Sequence, residues 1–181
     1  MNTNGRNKIV SIDDLIKLYY NSNDYDMLRD TTKSDYKYFL GVVSDSIGKD
    51  KFVGFTSRKA KWAYEDWVRR GVSFANHVAT CASRVFNYAI EMEYAMQNPF
   101  TSIKRKPEIK RKVVWKHEDV LKFLDVAYSD FTTRNIGLII QMTYEWCQRI
   151  GDMRTLRWSN LDFENKLLTL EQSKRRAEVF L

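Results

Sequence analysis

The stretch Tyr144-Glu145-Trp146-Cys147-Gln148-Arg149-Ile150-Gly151-Asp152-Met153-Arg154-Thr155-Leu156-Arg157-Trp158-Ser159-Asn160-Leu161-Asp162 is where the chain changes its structural period. Upstream, Thr133 to Trp146 has helical spacing and so many apolar residues that a central helix is expected. Ile150 to Arg157 predicts a short further helix, and Arg149 stands at the joint between the two. Downstream, Leu161-Asp162-Phe163 alternates, Glu164-Asn165 reads as a turn, and Lys166 to Leu170 predicts a strand. Glu171 to Arg176 then leads to Ala177–Leu181, the start of another apolar strand. The second half of the chain is therefore expected to be helices followed by a small β-hairpin. Asp152 lies three residues after Arg149, and on spacing alone such a pair reads first as a structural ion pair contributing ~0.2–0.5 kcal/mol.

Moving outward toward the N-terminus, Glu118 to Tyr128 predicts one more helix, with Val120, Leu121, Phe123, Leu124 and Ala127 apolar. Before it the charge is uneven. The formal net charge is +7, yet residues 1–103 carry only +2 and residues 117–181 carry −1. Residues 104–116 carry +6: Lys104, Arg105, Lys106, Lys110, Arg111, Lys112 and Lys116 against Glu108. Pro107 and like-charge repulsion both oppose helix there, so the segment reads as an extended basic linker between two nearly neutral halves. A merely solvated linker would also extend, but it can mix its charges. An almost purely cationic one fits a polyanion better, and nucleic acid is the commonest soluble polyanion, ahead of a membrane surface or an acidic protein.

The first half predicts four amphipathic helices with short joints, a small bundle. The first covers 11–20, with Ser11 and Asp14 at capping-box spacing. The second covers 32–47 and stops at Gly48, and the third covers 57–70 between Thr56 and Gly71. The fourth runs from Phe74 to about Tyr94, capped by Ser73. At ~100° per residue, Phe74, Val78, Cys81, Ala82, Val85, Ala89 and Met92 gather on one side of that helix. Asn76, Thr80, Ser83, Arg84 and Asn87 gather on the other, with His77 at the margin. Neutral hydrogen-bonding groups with one arginine suit base edges and phosphates, although an ordinary polar face fits the wheel equally well.

Composition excludes several classes. The hydrophobic share of 44% supports a packed core, and only 7 glycines and 2 prolines favour helix over a turn-dense β-sandwich. No apolar run approaches the ~20 residues that span a bilayer, and the first eight residues have no secretory apolar region. Cys81 and Cys147, with His77 and His117, make no zinc spacing, and both cysteines are expected to be reduced and buried. No metal and no cofactor are expected. Ending inside a strand leaves an unpaired edge, which suggests that the chain is a fragment of a longer protein.

Taken in order, these segments resemble the tyrosine recombinases, the phage-integrase family. Gln148-Arg149-Ile150-Gly151-Asp152-Met153, Leu156, Trp158-Ser159-Asn160 and Asp162 match that family's first signature in order and spacing, with Trp146-Cys147 where Thr-Gly is usual. Arg84-Val85-Phe86-Asn87-Tyr88-Ala89-Ile90 followed by Asn98-Pro99-Phe100 resembles the end of its core-binding domain. Val114-Trp115 and Glu118 to Leu124 resemble the opening of its catalytic domain, and Glu171-Gln172-Ser173-Lys174 the hairpin that presents its catalytic lysine. Arg175-Arg176 stand where Thr-Gly commonly follows that lysine.

The resemblance implies a mainly α fold: a four-helix, SAM-like core-binding bundle over 1–103, the basic linker over 104–116, and over 117–181 the start of a mixed α+β catalytic domain. It implies a parent enzyme that cuts and rejoins DNA without a metal, through a phosphotyrosine intermediate. Arg149 would be the first of two catalytic arginines, Asp152 its orienting partner, and Lys174 the acid that protonates the departing 5′-oxygen. The family's His-x-x-Arg, a second His or Trp, and the nucleophilic tyrosine would lie beyond residue 181, so this chain would hold an incomplete site. Arg84, Asn87, Lys104, Arg105, Lys106, Lys110, Arg111 and Lys112 are the expected DNA contacts. Double-stranded DNA is the expected partner, with self-association on DNA in the full-length parent and no membrane, in the cytoplasm of a bacterial host if phage-encoded. The alternatives are a DNA-binding regulator that never cleaves, and a structural helical protein.

Overall fold

A computed structural model of the chain describes residues 9–109, 112–174 and 177–180. The chain divides into two compact units, Met1–Lys110 and Arg111–Leu181. The first is all helix: α1 (Ile12–Tyr20), α2 (Asn23–Asp26), α3 (Asp30–Ile47), α4 (Ser57–Val68) and α5 (Val72–Glu91). The second holds α6 (His117–Ser129), α7 (Arg134–Glu145), α8 (Ile150–Arg154), a 3-10 turn at Trp158–Asn160, and β1 (Leu161–Asp162), β2 (Leu167–Glu171) and β3 (Glu178–Phe180).

Local signals set the helix starts. Ser11 Oγ accepts from the Asp14 N–H at 3.2 Å while the Asp14 carboxylate accepts from the Ser11 N–H at 3.0 Å, the reciprocal box that the spacing predicts. Thr56 caps α4 through the Lys59 N–H. The fourth long helix begins two residues earlier than expected: Gly71, at φ 130°, is the residue before α5, and Ser73 sits inside its first turn. Gly48 ends α3, but in a right-handed conformation. Its lack of a side chain is required by approach, because a Cβ there would collide with the Asp13 carboxylate and the Ser44 carbonyl. The short helix α2, capped by Ser22, is an element that the apolar spacing does not reveal.

The core of the first unit runs continuously from Ile12 to Phe100. Helix α5 lies at its centre, burying Ala75, Val78, Ala79, Cys81, Ala82, Val85, Phe86, Tyr88 and Ala89, so its buried face is wider than the wheel suggests. After α5 the chain folds back, and Phe100 stacks on Trp67 with ring centroids 6.1 Å apart and packs against Phe86 at 5.5 Å. Asn98 fixes that return: its Nδ2 lies 2.9 Å from the Ser83 carbonyl and its Oδ1 accepts from the Phe100 N–H at 2.9 Å.

The second unit is built on a smaller core. Its three strands are antiparallel in the order β1-β2-β3, with Leu161 opposite Leu168 and Leu170 opposite Val179. Met153, Leu168 and Leu170 are buried under Ile139, Met142, Trp146 and Leu156. Helices α6 and α7 meet at Gly137, where a Cβ would stand 3.0 Å from that of Ala127. Helix α7 lies between α6 and the sheet core, with Gly137 buried against α6 and Ile139 and Met142 packed on Met153, while Ile136, Leu138 and Tyr144 are exposed. Its apolar side chains are there, but the described residues cover only part of them. Helix α8 ends at Arg154, three residues before the expected Arg157.

Candidate functional site

The α7–α8 joint is a tight backbone feature. Trp146 closes α7, Cys147 adopts a left-handed φ of 50°, and Arg149 stands in extended geometry immediately before α8. Cys147 is exposed rather than buried, which corrects the expectation for that cysteine: the turn carries its side chain outward. Cys81, by contrast, is buried in the first unit, and burial pushes its thiol up to about 12.

Arg149 is exposed along part of its side chain and turns toward the β2–β3 hairpin. Its Nη1 donates to Gln172 Oε1 at 3.2 Å and lies 3.8 Å from Asp152 Oδ2. Gln172 in turn donates through Nε2 to Gln148 Oε1 at 2.9 Å. Asp152, 5% exposed, accepts from the Ser173 N–H at 3.0 Å through Oδ1. The Ser173 hydroxyl, followed by that backbone N–H and the Arg149 charge, holds the Asp152 carboxyl below the usual range against the opposing effect of burial. A carboxylate and an amide thus tie the arginine joint to the hairpin. Gln172 also closes the hairpin by donating its N–H to the Ala177 carbonyl at 2.8 Å. Lys174 is exposed between β2 and β3 and makes no ion pair with a described residue. The structure brings Arg149, Asp152 and residues 172–173 into direct contact. Gln172 falls in the hairpin segment that resembles the family's, but nothing in its local pattern announces a partner 23 residues away.

The expected DNA contacts divide into two groups. Arg84 is held by two carboxylates, Asp24 at 2.6 Å and Glu91 at 3.1 Å. Asn87 Oδ1 accepts from Asn98 Nδ2 at 2.6 Å. Both therefore brace the first unit, a role the helical wheel did not show. Lys104, Arg105 and Lys112 are exposed, and Lys110 and Arg111 lie outside the described residues. Lys106 is exposed but engaged: its Nζ pairs with Glu65 at 2.9 Å, and its backbone N–H donates to the Tyr64 hydroxyl at 2.8 Å. The basic segment is without helix over 104–109, yet it does not leave the first unit at residue 104. No helix among the described residues is long and apolar enough to cross a membrane. Among them, no group of three His, Cys, Asp or Glu side chains is placed to hold a metal ion.

A helical bundle, then helices leading into a small antiparallel sheet, is the fold of the tyrosine recombinases, and this chain resembles their integrases over nearly its whole length. Lambda integrase, solved as a dimer bound to a COC' core site, superposes with a TM-score of 0.81 at 17% identity over 95% of this chain and 48% of its own. The Tn1549 transposon integrase, solved with a circular intermediate DNA, superposes with a TM-score of 0.75 at 15% identity over 95% and 57%. In sequence, the ICEBs1 integrase of Bacillus subtilis (strain 168) is 25% identical over 162 residues, 87% of this chain. The chain spans 43% of that relative's length and about half of the lambda integrase chain. No family model matches the sequence.

Proposed function

We propose that this chain is the DNA-binding and partial catalytic region of a site-specific tyrosine recombinase, acting in the cytoplasm on double-stranded DNA. In this reading residues 1–103 are the core-binding domain, 104–116 the linker that follows the DNA backbone, and 117–181 the opening part of the catalytic domain. The observation that carries it is the Arg149 fork, held against the hairpin by Gln172 and the Asp152 side chain. A planar guanidinium can donate to two non-bridging oxygens of a phosphate at once, which suits the charge that builds up as phosphorus becomes five-coordinate.

In the parent, a tyrosine oxygen would attack phosphorus and the bond to the 5′-oxygen would break. The strand stays attached as a phosphotyrosine, so the bond energy is kept for rejoining. Lys174, a flexible ammonium on the hairpin, would give its proton to the departing 5′-oxygen. Asp152 orients Arg149 and does not touch substrate. In this reading the full-length parent would supply the nucleophile and the second arginine and would self-associate on DNA. The ICEBs1, Tn1549 and lambda proteins support this reading by their kind.

The test on this chain is a titration against duplex DNA across a salt series. If roughly four linker cations contact phosphates, they contribute about −3.6 to the slope of log affinity against log salt, at about −0.9 each. Replacing Lys104, Arg105, Lys106, Lys110, Arg111 and Lys112 with glutamine should flatten the slope by several units and lower affinity for unrelated sequences about equally. An unchanged slope would remove the linker from the interface.

A further inference from the structure

Within the first unit, Arg58, Lys61, Trp62 and Glu65 of α4 line one open groove of about 550 Å³ with Ser102 and Ile103, the residues that lead into the basic segment. Arg58 and Lys61 are three apart and share that face of the helix. Lys59 pairs instead with Asp50 at 3.1 Å. Glu65 also lines the groove; its carboxylate pairs with Lys106, and that ammonium, with a smaller contribution from Lys61, holds it below the usual range, leaving the groove's cations in excess of its one acid. Arg58, Lys61, Lys104 and Arg105 make no ion pair with a described residue and are exposed. Trp62, which lines the groove beside Arg58 and Lys61, is 65% exposed.

The basic segment is fixed to this face by its backbone. The Lys106 N–H donates to the Tyr64 hydroxyl at 2.8 Å, and its carbonyl accepts from Asn76 Nδ2 at 3.1 Å. Tyr64 donates to Asn76 Oδ1 at 2.8 Å, and its ring is 1% exposed in the core. A hydroxyl anchored in the bundle therefore positions Lys106, and Asn76 also holds Glu108 at 3.1 Å. Lys104 and Arg105 are the two residues between the groove wall at Ile103 and this anchor.

We propose that Arg58, Lys61, Lys104 and Arg105 form one phosphate-binding groove for the backbone of a nucleic-acid duplex, flanked by Trp62, with Tyr64 and Asn76 pre-setting its linker wall. The inference rests on the DNA reading above and adds α4 to it. Arg58 and Lys61 on the groove, with Lys104 and Arg105 directly beyond its Ile103 wall, give a sequence-independent anion track. The flat ring of Trp62 offers the sugar edge an apolar contact between them. Because the wall is already ordered in the unbound protein, its ordering cost is not charged to binding.

The experiment uses the whole chain, a labelled duplex of unrelated sequence and a salt series. Arg58→Gln with Lys61→Gln should flatten the log–log slope by about 1.8, the value for two phosphates. Tyr64→Phe keeps the ring and removes the hydroxyl; it should weaken binding severalfold with the slope unchanged, since the same charges still meet phosphates but from a looser wall. Circular dichroism should be unchanged in both. A slope untouched by Arg58→Gln/Lys61→Gln but flattened by Lys104→Gln/Arg105→Gln would overturn the α4 groove while leaving the DNA reading standing. Absence of salt-dependent duplex binding in the unmodified chain would sink both. Preference of the same four cations for phosphatidylserine vesicles over duplex would assign the groove to a membrane surface and overturn the proposal.

Discussion

Arg149 and Gln172 meet across the α7–α8 joint and the hairpin, with Nη1 donating to Oε1 at 3.2 Å. The contact sets which way the guanidinium fork faces, because Gln172 is itself held by Gln148 on its other side. In the full-length parent, Arg149→Lys should nearly abolish the covalent complex trapped on a suicide substrate, since lysine keeps the charge and loses the fork. DNA affinity should change little. Gln172→Ala should lower the yield by about tenfold, the effect of about 1.4 kcal/mol lost at the transition state. A near-normal yield from the lysine variant would reject the phosphate role of Arg149.

Lys174 gives a chemical rescue. A substrate with sulfur at the 5′-bridging position leaves without a proton, so it should restore Lys174→Ala selectively. Equal impairment on oxygen and sulfur substrates would pass the general-acid role to another group, with Arg175 and Arg176 the next to test.

Cys147 occupies a left-handed position that glycine adopts without cost. A non-glycine residue there carries ~1–2 kcal/mol of backbone strain, partly offset by glycine's greater freedom when unfolded. Cys147→Gly should therefore stabilise the second unit by roughly 0.5–1 kcal/mol, read as a higher denaturant midpoint. In the unmodified protein a thiol reagent at pH 8 should label Cys147 at once and Cys81 only on unfolding, since burial and, secondarily, Asp35 push the Cys81 thiol up to about 12. Simultaneous labelling of both would mean that the first unit opens readily.

Asp152 makes the arginine–hairpin contact sensitive to acid. Its folded pKa is lowered, so its contribution is full above the unfolded value of ~3.9 and is lost as pH falls through the folded value. Melting curves at successively lower pH should show the gap between the unmodified chain and Asp152→Asn closing below about pH 4. A gap independent of pH would mean that shape rather than charge holds the hairpin.

Arg84 is predicted to act on stability. Its two ion pairs are partly exposed, so Arg84→Ala should cost about 1 kcal/mol or less, with Asp24→Asn producing a similar loss and the double variant little more. Duplex affinity should hold. Loss of affinity at unchanged stability would show that Arg84 contacts DNA, as its place on the polar face of the helix predicts.

What the sequence makes legible is what lies close along the chain. The Ser11–Asp14 box, the Thr56 cap and the change of period at Leu161 are all local, and each appears in the structure. Arg149 is legible through motif order, whereas its contact with Gln172 is not, because that pairing exists only once the hairpin folds back. Arg84 reads as the one arginine on a polar helix face, yet Asp24 reaches it from sixty residues upstream. Gly48 reads as a helix stop, but its need is the approach of Asp13 from another helix. The apolar run of α7 predicts burial only if enough other surface packs on it, and periodicity carries no information about that.

The unequal cores imply unequal protection of the backbone amides. Among the described residues, two dozen apolar side chains are buried together in the first unit, while the core around the sheet of the second rests on Met153, Leu168 and Leu170. Hydrogen exchange in the middle of α5 should require opening of the whole bundle, so its amides should be the slowest to take up deuterium. Amides of α7, with Ile136, Leu138 and Tyr144 facing outward, should exchange through small openings that leave the bundle intact. A protease added under native conditions should thus cut within the second unit first and leave the helical bundle as the lasting fragment.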